Sequence, residues 1–219
     1  MRRPWRRYAC LSAAFLLLFL VWTALVLTVD VRPIGPLGTS VGLATLNGAV
    51  HRALGVRLSL YTVTDWLGLV PVAVGLFFAL LGLSEWGHRR RLRLVDRSLF
   101  VLGGFYLAVI ASYLFFEAVP LNYRPVLLGA TPEASYPSST TLLAVTVLPT
   151  AMMEVRARLP RGRGRRALLL ALAALLSFTV IGRVLSGVHW PSDIVGGLLL
   201  GASLDLGYAA LSALVRRPR

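Results

Sequence analysis

The chain is 219 residues long, 57% hydrophobic and only 15% charged, with a mean hydropathy of +0.73. Repeated apolar runs of membrane-spanning length on that background exclude a soluble globular domain and indicate an integral membrane protein. The formal net charge is +14 and every basic side chain is arginine, but most arginines cluster between apolar runs, which argues for membrane topology rather than nucleic acid binding.

Residues 1–8 form a basic head with Arg2, Arg3, Arg6 and Arg7. The apolar run 10–29 is longer than the hydrophobic part of a signal peptide, and no small-x-small cleavage site follows before Asp30, so it reads as a retained first helix. Its Cys10 is the only cysteine, which excludes an intramolecular disulfide and a cysteine-based metal site. Pro33, Gly35, Pro36 and Gly38 break the next stretch. Residues 41–54 then suit a short amphipathic segment lying at the membrane surface, with Asn47, His51 and Arg52 among apolar residues. His51 has no partner nearby in sequence and reads as structural or solvated.

A second helix is expected over 64–84, with Asp65 and Trp66 at its start and Trp66 and Trp86 near the ends of the apolar stretch. A basic loop follows with Arg89, Arg90, Arg91, Arg93 and Arg97, then a third helix over 98–119. The polar connection 120–137 holds Arg124 and Glu133 and leads to a fourth helix over 138–155. After a second basic loop, with Arg156, Arg158, Arg161, Arg163, Arg165 and Arg166, come a fifth helix over 167–188 and a sixth over 191–215. In the sixth, Gly197 and Gly201 allow close helix packing. Arg216, Arg217 and Arg219 end the chain.

The expected fold is therefore all-α: a polytopic membrane protein of six transmembrane helices in one bundle, with residues 1–219 forming a single membrane-embedded domain. Six helices put both termini and both basic loops on one side. All of the arginines except Arg32, Arg52, Arg57, Arg124 and Arg183 fall there, so that side is expected to be cytoplasmic. The expected location is the cell membrane, with connection 120–137 and the stretch 183–193 meeting on the outer face.

That second stretch carries Arg183, His189 and Asp193 in apolar surroundings, where ionisable groups mark sites. Pro191 suits the first turn of a helix. His189 then lies at the helix mouth and Asp193 one turn inside, a spacing that lets the carboxylate reach a ring nitrogen. The contact would fix the tautomer and leave the other nitrogen free as base or nucleophile. The plainer reading is a wet helix end with a structural ion pair. Arg183 and Arg124 offer planar forks of donors for phosphate oxygens. Ser138, Ser139 and Thr140 open the fourth helix, where free N–H groups and the helix dipole favour an anion, although an ordinary N-cap uses the same residue types. Together these residues make an anion cradle with a nucleophile.

The order Arg124-Pro125, then Pro137-Ser138-x-x, then Arg183-x5-His189-x3-Asp193 resembles the type 2 phosphatidic acid phosphatase family. These are six-helix membrane lipid phosphatases related to soluble bacterial acid phosphatases and vanadium haloperoxidases. The family motifs run Lys-x6-Arg-Pro, Pro-Ser-Gly-His and Ser-Arg-x5-His-x3-Asp. The resemblance implies that His189 is the nucleophile, forming a phosphohistidine, and that Asp193 orients it. It also implies that Arg124, Arg183 and the Ser138, Ser139 and Thr140 segment hold the phosphate. No metal and no organic cofactor is implied.

Three positions depart from the pattern: Glu117 stands for the lysine, Thr140 for the second-motif histidine and Gly182 for the serine. The histidine is the family's general acid, a role threonine does not fill near neutrality. Glu117 and Glu133 are the candidates to supply that proton. The resemblance therefore implies a hydrolase of the outer leaflet acting on a lipid phosphate or diphosphate, such as a polyprenyl diphosphate, phosphatidate or phosphatidylglycerol phosphate. Its partners are the phosphorylated lipid and membrane lipids, with no nucleic acid. The departures favour an alternative, a relative that binds or transports lipid phosphates without turnover. A small unrelated transporter ranks behind both, because the polar groups gather toward one face rather than at mid-membrane.

Overall fold

The computed structural model describes residues 4–90 and 96–215; Arg2, Arg3, Arg91, Arg93, Arg216, Arg217 and Arg219 lie outside the described residues. The described residues form helices α1 (Pro4–Thr28), α2 (Ala44–Leu54), α3 (Leu58–Leu67), α4 (Leu69–Arg89), α5 (Arg97–Ala118), α6 (Ser139–Arg158), α7 (Arg163–Ser186) and α8 (Pro191–Val215), with a 3₁₀ turn at Pro36–Gly38. Among the described residues five stretches are long and apolar enough to cross a membrane: Trp5–Thr28, Leu58–His88, Arg97–Ala118, Arg163–Ser186 and Pro191–Val215. A helix satisfies its own backbone polar groups, which is why hydrocarbon tolerates it. Leu17 and Leu20 of α1, Leu76 and Phe77 of α4, and Leu107 and Leu114 of α5 point outward, where a bilayer supplies apolar surroundings.

α6 is the least apolar of the six long helical stretches and the most enclosed. Thr140, Thr141, Thr146 and Thr150 are buried along it, and α4, α5, α7 and α8 all pack against it. The hydroxyls of Thr146 and Thr150 bond back to the Leu142 and Thr146 carbonyls, so its polar groups are satisfied without water. One apolar cluster joins Phe78, Leu102, Phe105, Leu148 and Tyr208. A second joins Phe19, Val26, Tyr136, Leu142 and Leu200. α8 comes close to α6 along its glycines: a Cβ at Gly201 would lie 2.2 Å from Val145 Cγ2, and one at Gly197 3.2 Å from Ser138 O. That approach sets the first turn of α8 beside the first turn of α6.

Two elements differ from the sequence expectation. The helix expected over 64–84 begins at Leu58 and breaks at Gly68, whose N–H bonds to the Thr64 and Asp65 carbonyls. Within α3 the Thr62 and Thr64 hydroxyls bond to the Leu58 and Leu60 carbonyls, so their polar groups are satisfied inside the helix. The second difference is α2, which folds over α8 instead of lying free at a surface. Asn47 is buried, donates to Gly42 O and Ser192 Oγ, and accepts from Ser192 N.

Candidate active site

The first turn of α8 carries the reactive pair. Pro191 opens the helix, so His189 and Trp190 stand just before it and Asp193 lies in its first turn. Asp193 is fully buried and His189 nearly so. The carboxylate is held by Trp190 N (3.0 Å) and Asn122 Nδ2 (3.1 Å). It lies 3.8 Å from His189 Nδ1, too far for the direct bond that the spacing suggests.

Ser135 fills that gap. Its Oγ is 3.1 Å from His189 Nδ1, and its hydroxyl donates to Asp193 Oδ2. Because Ser135 gives its only proton to the carboxylate, its lone pair accepts from an Nδ1–H. The tautomer follows: Nδ1 carries the proton and Nε2 carries the lone pair. Nε2 faces Arg124 Nη1 at 3.4 Å. Burial pulls the His189 pKa down to about 4, outweighing the Asp193 contact that raises it, and Arg124 and Arg183 add to the depression. The unliganded ring is therefore neutral at pH 7.

Arg124 comes from the 120–138 connection, where its N–H bonds to Glu133 O and its Nε lies 3.1 Å from Glu133 Oε2. Its guanidinium stands 5.8 Å from the Tyr61 ring, and that of Arg183 stands 4.8 Å from the same ring. Arg183 is buried at the end of α7. Its Nη2 donates to Thr140 Oγ1 (2.7 Å) and Asp65 Oδ1 (3.2 Å), whereas Nε and Nη1 are buried with no partner. Buried donors left unpaired are costly, and an anion oxygen between the two arginines would satisfy them.

At the start of α6, Ser138 is already engaged. Its N–H bonds to Asp193 O (3.1 Å) and its Oγ accepts from Thr141 Oγ1 (3.0 Å). Ser139 and Thr140 follow in the first turn, where N–H groups have no partner within the helix. Glu117 is exposed at the end of α5 and lines a small pocket with Ser135 and Ser139. The His51 ring lies tilted against Trp190 at 5.3 Å between ring centres, where partial burial lowers its pKa; it does not join the group. No cluster of three or more His, Cys, Asp or Glu suited to a metal occurs among the described residues.

The structure thus brings together His189, Asp193, Arg124, Arg183 and Thr140, with Glu133 beside Arg124. Ser135, Asn122, Tyr61 and Asp65 were missed from the sequence. Ser135 and Asn122 had one available signal, as polar residues within the connection already assigned to the site. Tyr61 had none, because it precedes the expected start of its helix at Thr64, whereas Asp65 stood at that start, an ionisable group beside an apolar run.

The PAP2 superfamily matches residues 73–216, well over half of the chain. No curated protein sequence matches it. In fold it is similar to the crystal structure of the first transmembrane PAP2 type phosphatidylglycerolphosphate phosphatase from Bacillus subtilis, with a TM-score of 0.64 at 18% identity, covering 95% of this chain and 99% of that one. The helical bundle and the match through α4 to α8 agree: the chain belongs to the PAP2 superfamily and has the fold of a multi-pass membrane phosphatase.

Proposed function

We propose that the chain is a membrane phosphatase that removes a phosphoryl group from a lipid phosphate or diphosphate at the outer leaflet. The observation that carries this reading is the pairing of a neutral, buried His189, whose Nε2 lone pair faces Arg124, with a buried Arg183 that has two unpartnered donors. A phosphoryl group bound to the two arginines would lie within reach of Nε2. Attack by Nε2 forms an N–P bond as the P–O bond to the leaving group breaks. The imidazolium so formed keeps its Nδ1 proton on Ser135, backed by Asp193, and the arginines stabilise the charge on the equatorial oxygens. Water then attacks phosphorus, the N–P bond breaks and inorganic phosphate leaves.

In this reading residues 1–219 act as one membrane-embedded unit with both termini cytoplasmic. Glu117 and Glu133 are the candidate proton donors, and full activity in both Glu117→Gln and Glu133→Gln variants excludes them from that role. A binding or transport protein is the second reading, favoured by Thr140, which accepts a hydrogen bond from Arg183 and offers no acid. The deciding experiment is phosphate release by purified protein, wild type beside His189→Ala. The substrates are phosphatidate, a polyprenyl diphosphate and phosphatidylglycerol phosphate, the last because a protein of similar fold bears that name. Release that disappears in the variant supports the phosphatase. No release, with lipid phosphate still bound through Arg124 and Arg183, supports the binding protein.

A further inference from the structure

Hydrolysis of a phosphohistidine needs a group that takes a proton from water. Thr140 is not such a group, Glu133 meets Arg124 at Nε whereas the nitrogen that faces His189 is Nη1, and His189 is itself the nucleophile. A further carboxylate reaches the cradle at the other arginine. Asp65, on α3, has Oδ1 3.2 Å from Arg183 Nη2, the same nitrogen that donates to Thr140 Oγ1. Arg183 is buried, but the Asp65 side chain is 52% exposed, so its carboxylate opens to water while one oxygen is anchored at the phosphate site.

Two positions that depart from the family pattern touch this helix. Gly182 lies against Thr64, where a Cβ would come within 2.5 Å of Thr64 Cγ2. Thr140 lies against Gly68, with its Cγ2 3.3 Å from where a Cβ would stand. A larger residue at 182 would push α3 off α7, and one at 68 would crowd Thr140. Both let the Asp65 turn of α3 close onto Arg183. This turn lies outside the segment matched by the superfamily.

We infer that Asp65 is the catalytic base for the second half-reaction, and that the site is built for lipid diphosphates rather than for lipid monoesters. The inference rests on the phosphatase reading above. Held against the Arg183 guanidinium, Asp65 is placed to take a proton from water rather than to give one to the leaving group. The first step then proceeds without protonation of the leaving group, which a phosphate tolerates and an alkoxide does not. His189 Nε2 attacks the terminal phosphorus of the diphosphate, the bridging P–O bond breaks, and the lipid monophosphate leaves with the electron pair. In the second step the water oxygen bonds to phosphorus, its proton passes to Asp65 and then to solvent, and the N–P bond breaks to regenerate neutral His189. The sum is lipid diphosphate plus water giving lipid monophosphate and inorganic phosphate.

The test is rapid-quench and steady-state kinetics of the full chain in detergent, on a polyprenyl diphosphate and on phosphatidate. Wild type is expected to favour the diphosphate by about a hundredfold or more in kcat/KM. Asp65→Asn is expected to keep a burst of about one lipid monophosphate per protein, while kcat falls by about a hundredfold and phosphohistidine accumulates. Formate is expected to restore part of the turnover in Asp65→Ala. A kcat within about twofold of wild type in Asp65→Asn overturns the inference, as does a loss confined to the burst, since that marks a role in positioning Arg183. Preference for phosphatidate also overturns it. These results leave His189-dependent release intact, whereas wild type with no such release refutes the phosphatase reading itself and the inference with it.

Discussion

Ser135 offers the sharpest test of how the reactive histidine is held. Ser135→Ala removes the one atom that joins His189 Nδ1 to Asp193 Oδ2, which are 3.8 Å apart. Asp193 keeps Trp190 N and Asn122 Nδ2, so its buried charge remains partly solvated. The imidazole keeps nothing on Nδ1: its N–H is left buried and unpaired, and the proton is free to move to Nε2, where it blocks attack. A hydrogen bond that backs a charged group is worth about 1.5–3 kcal/mol. The Nδ1 bond becomes of that kind when Nε2 binds phosphorus and the ring turns cationic. At 1.36 kcal/mol per tenfold, the expected loss in kcat/KM is about ten- to a hundredfold. KM should change little, because Arg124 and Arg183 are untouched. The assay is initial-rate phosphate release, with thermal unfolding in detergent to show that the variant is folded. A folded Ser135→Ala with kcat/KM within about twofold of wild type refutes the bridging role.

Three further predictions follow from the same geometry. The neutral ring is the nucleophile and its pKa lies at about 4 in the free protein. Therefore kcat/KM should stay flat from neutrality to about pH 5 and fall about tenfold per unit below about pH 4; a histidine limb centred near the ordinary value of about 6.5 contradicts the buried neutral state. Arg183→Lys keeps the charge but loses the planar fork, so inhibition by orthovanadate should weaken by about tenfold or more, and an unchanged inhibition constant counts against a phosphate on its free donors. Gly182→Ala should lower the melting temperature, with a destabilisation of about 1–3 kcal/mol from the clash with Thr64 Cγ2. Adding Thr64→Ser, which removes that methyl, should recover most of it; equal melting temperatures for wild type and Gly182→Ala disprove the contact.

Much of this protein is legible in its chain because membrane burial is written locally. An apolar run of spanning length declares a helix wherever it falls. The spacing from Arg183 to His189 and Asp193 is also local, since it lies within one turn and the start of the next helix. The bounds of the second long stretch were less legible: residues 58–63 mix Ser59, Tyr61 and Thr62 with apolar side chains, and the Thr62 hydroxyl is satisfied within α3 by the Leu58 carbonyl.

What only the tertiary structure decided is the wiring between segments. Ser135 is 54 residues from His189 and 58 from Asp193, and Asp65 is 118 from Arg183. No periodicity links such pairs. They meet because the glycines of α8 let it close on α6, and Gly182 lets α3 close on α7. The chain alone determined which groups were available and which polar segments hold them. Which oxygen carries the histidine's proton contact, and which carboxylate stands at the second arginine, depended on gaps of a few ångströms between helices, set by the packing of side chains remote in sequence.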